Sequence, residues 1–185
     1  IRKSDGSSNP DAIQIISPYR GEFYGTGALN ILMQSEFNPY WSHRYNLDGI
    51  SFFDKVIQFR NRPKSDMAYA YNQDTRAVEQ HEVFNGEIGL VLMHPFDVKN
   101  KRYNYISTIE RFQVAFSNKS RQKLRYNYGR EYGKNDKGWN LPEQKVQENL
   151  ELAYAISVHK SQGSEFDYVY IVIPKRDSPP EAFIS

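Results

Sequence analysis

The sequence contains no cysteine among its 185 residues. A disulfide scaffold and a thiolate metal site are therefore excluded. The absence fits a reducing compartment, and a cytoplasmic location is expected. Histidine is sparse as well. His43, His81, His94 and His159 stand apart, with no HExxH or comparable spacing, so no metal centre is expected. No apolar run approaches the roughly 20 residues that a membrane-spanning helix needs. The opening stretch IRKSDGSSNPD lacks the apolar segment of a secretory signal. No membrane partner is expected. Strong net charge is missing too: the balance is only +2, so the whole-chain value says little about partners.

Phosphate-cradling motifs are equally absent. The nearest candidate, GREYGKND (129–136), has three residues between its glycines where a P-loop has four, and Asn135 follows the lysine. Gly25-Thr26-Gly27 lacks the third glycine of a dinucleotide fingerprint. No acidic Walker B strand stands out. The chain by itself is not expected to hold a magnesium nucleotide tightly.

Aromatic residues, by contrast, are plentiful. Fourteen Tyr and eleven Phe argue for a folded chain. Charge is also unevenly spread. Between Lys99 and Lys137 there are eleven Lys or Arg against three Asp or Glu, interleaved with Tyr103, Tyr105, Tyr126, Tyr128 and Tyr132. Cations beside stacking rings suit a nucleic-acid backbone and its unpaired bases, and Lys123 and Arg125 are DNA-binding candidates from this stretch. A solvated surface loop is the plainer alternative.

The pattern along the chain changes twice. DAIQIISPYRG predicts a strand over 12–17 closed by Pro18. TGALNILMQSEFN predicts a helix, with Leu29, Leu32, Met33 and Phe37 at helical spacing, Thr26 as N-cap and Pro39 just past the end. From about Gly49, short segments rich in Val, Ile, Phe and Tyr alternate with polar turns, which suggests a small β-barrel; Asn85-Gly86 is a tight-turn signal. At Leu150 the α/β texture returns. LELAYAI and YVYIVIP are continuous apolar runs, as expected of parallel strands buried on both faces. The expected organisation is an α/β domain in two parts, 1–48 and 150–185, split by a β-rich insertion over 49–149.

Between those last runs lies SVHKSQGSEFD (157–167). Ligands of α/β sheets bind at the C-terminal edges of parallel strands, where this stretch falls. Ser157, His159, Lys160 and Ser161 carry donors for phosphate oxygens. Gly163 permits close backbone approach, and Glu165 can accept from a sugar hydroxyl. The alternative is an ordinary β-α loop with a serine N-cap. Tyr19 and Arg20 follow the first strand at a similar edge, and an arginine there can reach a phosphate with two parallel hydrogen bonds.

LAYAISVHKSQGSEFDYVYIVIP resembles motif V and its flanking strands in superfamily 1 helicases of the RecD-like branch. IQIISPYRGEFYGTGALNILMQSEFNP resembles that family's motif IV region. DKVIQFRN and EVFNGEIGLV are similar to its inserted SH3-like barrel, including a VFNGEIG hairpin. The resemblance implies a partial RecA-like parallel-sheet domain interrupted by that barrel, in a motor that uses ATP and Mg to move 5′ to 3′ on single-stranded DNA. It implies DNA contacts at Ser157, His159 and Lys160, with Tyr19 alongside. It implies that Gln162, Gly163 and Glu165 face the nucleotide cleft or couple it to DNA, and Arg20 is a candidate contact near the nucleotide phosphates or DNA. Walker A and B and the first RecA-like domain are missing from the chain. Where the family carries an arginine-bearing motif VI, the chain reads KRDSPPEAFIS. The expectation is therefore a fragment of a larger helicase, inactive as an ATPase alone and completed by a first RecA-like domain of the same polypeptide. The rival expectation is a non-catalytic nucleic-acid or protein-binding module that retains a vestigial helicase fold.

Overall fold

The computed structural model describes residues 9–93, 109–118, 123–130 and 144–175. Much of the basic stretch, at 99–108, 119–122 and 131–137, lies outside the described residues.

Two sheets organise the chain. In the smaller, β1 (Ile13–Ile16) runs between β11 (Ala155–Ile156) and β12 (Tyr168–Ile171), all parallel. Ile15 sits opposite Ala155 on one side and Tyr170 on the other. After β1 come α1 (Thr26–Phe37) and the single turn α2 (Pro39–Ser42), where Pro39 occupies a first-turn position that needs no N–H. A short ribbon of β2 (Asn46–Leu47) and β3 (Ile50–Ser51) follows. The larger sheet is antiparallel throughout. It comprises β4 (Lys55–Gln58), β5 (Ala68–Asn72), β6 (Val78–His81), β7 (Ile88–Leu92), β8 (Arg111–Phe116), β9 (Leu124–Gly129) and β10 (Leu150–Leu152). Their order is β10-β4-β7-β8-β9-β5-β6. The described residues thus form mixed sheets with few helices, consistent with an α/β organisation that includes a parallel sheet.

The larger sheet closes a core of its own. Phe52, Val56, Val91, Phe112, Val114 and Tyr126 are fully buried, and Phe116 meets Tyr126 edge-to-face at 5.1 Å. Full burial of each such side chain is worth about 1.5–3 kcal/mol before chain entropy is subtracted. A smaller cluster of Ile57, Ile88, Ala153 and Ile156, with Ile16 and Phe166 packed against it, joins the two sheets.

Five local expectations change. The N-cap of α1 is Gly25, and Thr26 is the first helical residue. The apolar residues of α1 do not all turn inward: Leu32 and Phe37 are exposed, while Asn30 is buried. The physical reason is a stripe of amides at four-residue spacing, Asn30, Gln34 and Asn38, which lies along one helix face. Asn30 exchanges hydrogen bonds with the backbone of Ala155 and donates to the Leu152 carbonyl. Gln34 donates to the Gly49 carbonyl, and Asn38 to the Phe52 carbonyl. Both also donate to the Asp54 carboxylate. These bonds set the rotation of the helix, since a buried polar group left unpaired is costly.

The LELAYAI run is not one strand. Leu150–Leu152 pair with β4 in the antiparallel sheet, and Ala155–Ile156 pair with β1 in the parallel one. The expected turn at Asn85-Gly86 forms, with Gly86 at φ +96 and the Glu87 N–H donating to the Phe84 carbonyl. It is not a hairpin, because Val83 bridges to Arg62 while β7 pairs with β4 and β8. Finally, β12 is exposed along all four residues, where burial on both faces was expected. It ends the order β11-β1-β12, and nothing among the described residues covers it.

Two buried charges hold the seam between the sheets. Asp54 accepts from Gln34, Asn38, the Ser51 N–H and the Tyr154 hydroxyl, the last at 2.9 Å. Burial raises its pKa, and these hydrogen bonds offset part of the rise. Lys55 donates to the Ile13 carbonyl at 2.8 Å and to Gln14 Oε1 at 2.7 Å. Burial lowers its pKa to about 8 against the opposing pull of Asp11.

Candidate nucleic-acid interface

The chain leaves β11 at Ser157, whose Oγ accepts the Lys160 N–H and caps the one-turn helix α3 (Val158–Ser161). An oxygen that accepts at a cap retains its own O–H for a further acceptor. Past α3, Gly163 adopts φ +79, a left-handed conformation suited to glycine, and turns the chain toward β12.

The loop after β1 faces this one and is built as a knuckle. At its base, buried Ser17 donates through Oγ to the Tyr24 carbonyl at 2.9 Å and accepts the Tyr19 N–H at 3.2 Å. Thr26 N–H donates to the Tyr19 carbonyl, and Gly27 N–H to the Arg20 carbonyl. The first two amides of α1 are thereby used to close the loop. Gly25 packs so tightly that a Cβ there would lie 2.6 Å from the Arg20 carbonyl, which excludes any side chain without movement of the backbone.

A cavity of about 430 Å³ separates the two loops, lined by Arg20, Asn30, Ser157 and Lys160 and by the carboxylates Asp48 and Glu151. The Lys160 ammonium is ion-paired with the Glu151 carboxylate and lies 5.9 Å from the centre of the Phe59 ring. Burial lowers the pKa of Lys160, and the positive charge of Arg20 lowers it further. Two cations and two carboxylates therefore share one hollow, with Lys160 already paired to Glu151.

A second cavity of about 310 Å³ lies on the far side of the Gly163 turn. Gln162, Gly163 and Glu165 line one side of it; Asp11, Asn85 and Glu87 also line it. Three carboxylates make it unfavourable for a phosphate and suited to hydrogen-bond donors. Thus the SVHKSQGSEFD loop borders a hollow of balanced charge at its start and an acidic one at its end. Arg20 shares the first hollow with Ser157 and Lys160. His159 is exposed on α3, and Tyr19 stacks edge-to-face on Tyr24; neither lines these two cavities. Lys123 and Arg125 stand on and beside β9 and line neither; Lys123 is ion-paired with Asp74.

Sequence reasoning passed over Asn30, Gln34 and Glu151. The four-residue amide spacing was the available signal for the first two. Glu151 has none, because its pairing with Lys160 depends on the break between β10 and β11.

Comparison with known families bears on this loop. Residues 152–182 match the UvrD-like helicase C-terminal domain. The match supports a superfamily 1 helicase C-terminal domain over that stretch. The chain is also 32% identical over 175 residues to an uncharacterized protein of Methanocaldococcus jannaschii, an alignment covering 89% of this chain and 12% of that protein. The chain thus spans about an eighth of that relative. Among the described residues, no helix is long and apolar enough to cross a membrane.

Proposed function

We propose that the hollow shared by Arg20, Ser157 and Lys160 grips the sugar-phosphate backbone of single-stranded DNA, within the C-terminal motor domain of an ATP-dependent helicase of the RecD-like branch. The observation that carries this is the convergence of Arg20, Lys160 and the Ser157 hydroxyl on one cavity. Arg20 supplies a planar fork for two phosphate oxygens, Lys160 a point charge, and Ser157 an O–H donor. A phosphate competes with Glu151 for Lys160, which tempers affinity and keeps the grip reversible, as a translocating motor requires.

In this proposal the antiparallel sheet is the SH3-like insertion. Gln162, Gly163 and Glu165 face the nucleotide side, where Glu165 meets sugar hydroxyls. ATP and Mg belong chiefly to a first RecA-like domain elsewhere in the same polypeptide. The carboxylates beside Glu165 keep the phosphates of a nucleotide away from this side and leave it to the sugar. One short loop touching both ligands lets each bias the same element, the physical requirement for coupling DNA grip to nucleotide state.

The test is single-stranded DNA binding by the chain as a function of salt. Affinity should fall steeply with added salt. Arg20→Ala and Lys160→Ala should each weaken binding about tenfold or more. Each should also lower the slope of log affinity against log salt by about 0.7 per lost phosphate contact. Salt-insensitive binding, or variants that bind like the wild type, would sink the proposal.

A further inference from the structure

Phe23 stands at the apex of the knuckle that presents Arg20, and its side chain is 84% exposed. The loop that carries this ring also carries Arg20, so a strand held at the hollow passes close to it. The loop itself is held in place: its two ends meet through the Tyr19–Thr26 and Arg20–Gly27 hydrogen bonds, and the Gly25 N–H closes the tip on the Glu22 carbonyl at 2.7 Å. Behind Phe23, rings support one another edge-to-face. Phe23 and Tyr24 lie 4.7 Å apart at 74°, and Tyr24 and Tyr19 lie 5.1 Å apart at 80°. Preorganisation of this kind spares the entropy of ordering a side chain on binding.

Resting on the nucleic-acid reading of the neighbouring hollow, we infer that Phe23 is a stacking platform for one unpaired base of the strand whose backbone Arg20 and Lys160 hold. Phe23 lies three positions beyond Arg20, so their Cα atoms are within about 10 Å, a span reachable by adjacent nucleotides. Charge orients the strand. Arg20 draws the phosphate inward, while the exposed Glu22 carboxylate between them disfavours backbone on the Phe23 side and leaves that side to the base. An aromatic face accepts any base, so the contact discriminates unpaired from paired strands without reading sequence. In a duplex the faces of the bases are already occupied by their neighbours.

The experiment compares the chain with its Phe23→Ala and Phe23→Trp variants on an oligothymidine, on an abasic oligomer of equal length, and on duplex DNA. Phe23→Ala should weaken oligothymidine binding about 5- to 100-fold and leave abasic binding unchanged. Phe23→Trp should retain or improve it, with quenching of the new indole fluorescence by the bound base. Arg20→Ala should weaken both single-stranded ligands alike. An equal effect of Phe23→Ala on oligothymidine and abasic ligands overturns the stacking role while leaving the backbone grip intact. Equal affinity of the wild type for abasic and oligothymidine ligands also overturns it. Failure of the wild type to bind any of the three overturns both readings. Because Phe23 is exposed, Phe23→Ala should unfold at the wild-type temperature, which separates lost stacking from lost folding.

Discussion

The two sheets of this chain differ in how fully they are covered. The antiparallel sheet encloses a continuous core in which Phe112, Val114 and Tyr126 have no exposure. The parallel sheet has three strands, and its strand β12 presents Tyr168, Val169, Tyr170 and Ile171 to solvent. The difference separates stability from function. The larger sheet contributes most of the buried apolar residues, and the smaller one carries the loops that converge on the hollow of Arg20 and Lys160. An α/β sheet places its ligands at strand edges, so what it needs there is a fixed backbone, and the Ser17, Asn30 and Asp54 hydrogen bonds provide it.

The largest expected effect tests that contrast directly. Phe112→Ala should destabilise the chain by about 3–5 kcal/mol, because it opens a cavity in a closed core. Tyr170→Ala, on the exposed strand, should change stability by no more than about 0.5 kcal/mol. Chemical denaturation of both variants checks this, and comparable losses would erase the contrast.

The seam between the sheets should respond to pH. Lys55 has a folded pKa near 8, below its unfolded value near 10.5. Between those limits the unfolded chain binds more protons, so stability rises with pH through this window by up to about 3 kcal/mol. Tyr154 acts in the opposite sense. Burial and the adjacent Asp54 carboxylate raise its pKa above the ordinary 10, so its contribution is present below pH 10 and is lost as pH rises further. Unfolding measured across pH 7 to 11 should therefore show a maximum near pH 10, and Lys55→Met should remove the rising limb. A flat profile in the wild type would mean the seam is wetter than its burial indicates.

The smallest effect belongs to the surface of the larger sheet. Lys123 and Asp74 form an exposed pair, and Asp74→Ala should alter stability by less than about 1 kcal/mol. Lys123→Ala should reduce single-stranded DNA affinity far less than Arg20→Ala. An equal reduction would extend the interface onto the antiparallel sheet and blur the division between the two regions.

Much was legible from residue order. The strand at 12–17, the helix ending before Pro39, the short strands after Gly49 and the polar loop after Ile156 all follow from periodicity, proline and glycine placement and apolar runs. The Asn85-Gly86 turn was legible too, because left-handed backbone at that position selects glycine. Apolar spacing misjudged α1, since Leu32 and Phe37 keep helical spacing whichever way the helix is rotated. Hydrogen bonds from Asn30, Gln34 and Asn38 decide the rotation, and their partners lie up to 125 residues away. The LELAYAI run misled for a similar reason: an apolar run does not say which sheet it enters.

The sequence by itself determined the chemistry available at the site: a hydroxyl, an imidazole, an ammonium, an amide and carboxylates in one loop, and a Tyr-Arg-Gly turn in another. It also determined what was lacking, namely thiolates and a phosphate cradle. Only the tertiary structure decided how those groups are shared out. It set Arg20 across from Lys160, and it put Glu165 among the carboxylates of Asp11 and Glu87. The physical reason is that charges act through space, within a few ångströms, while residue order records only distance along the chain.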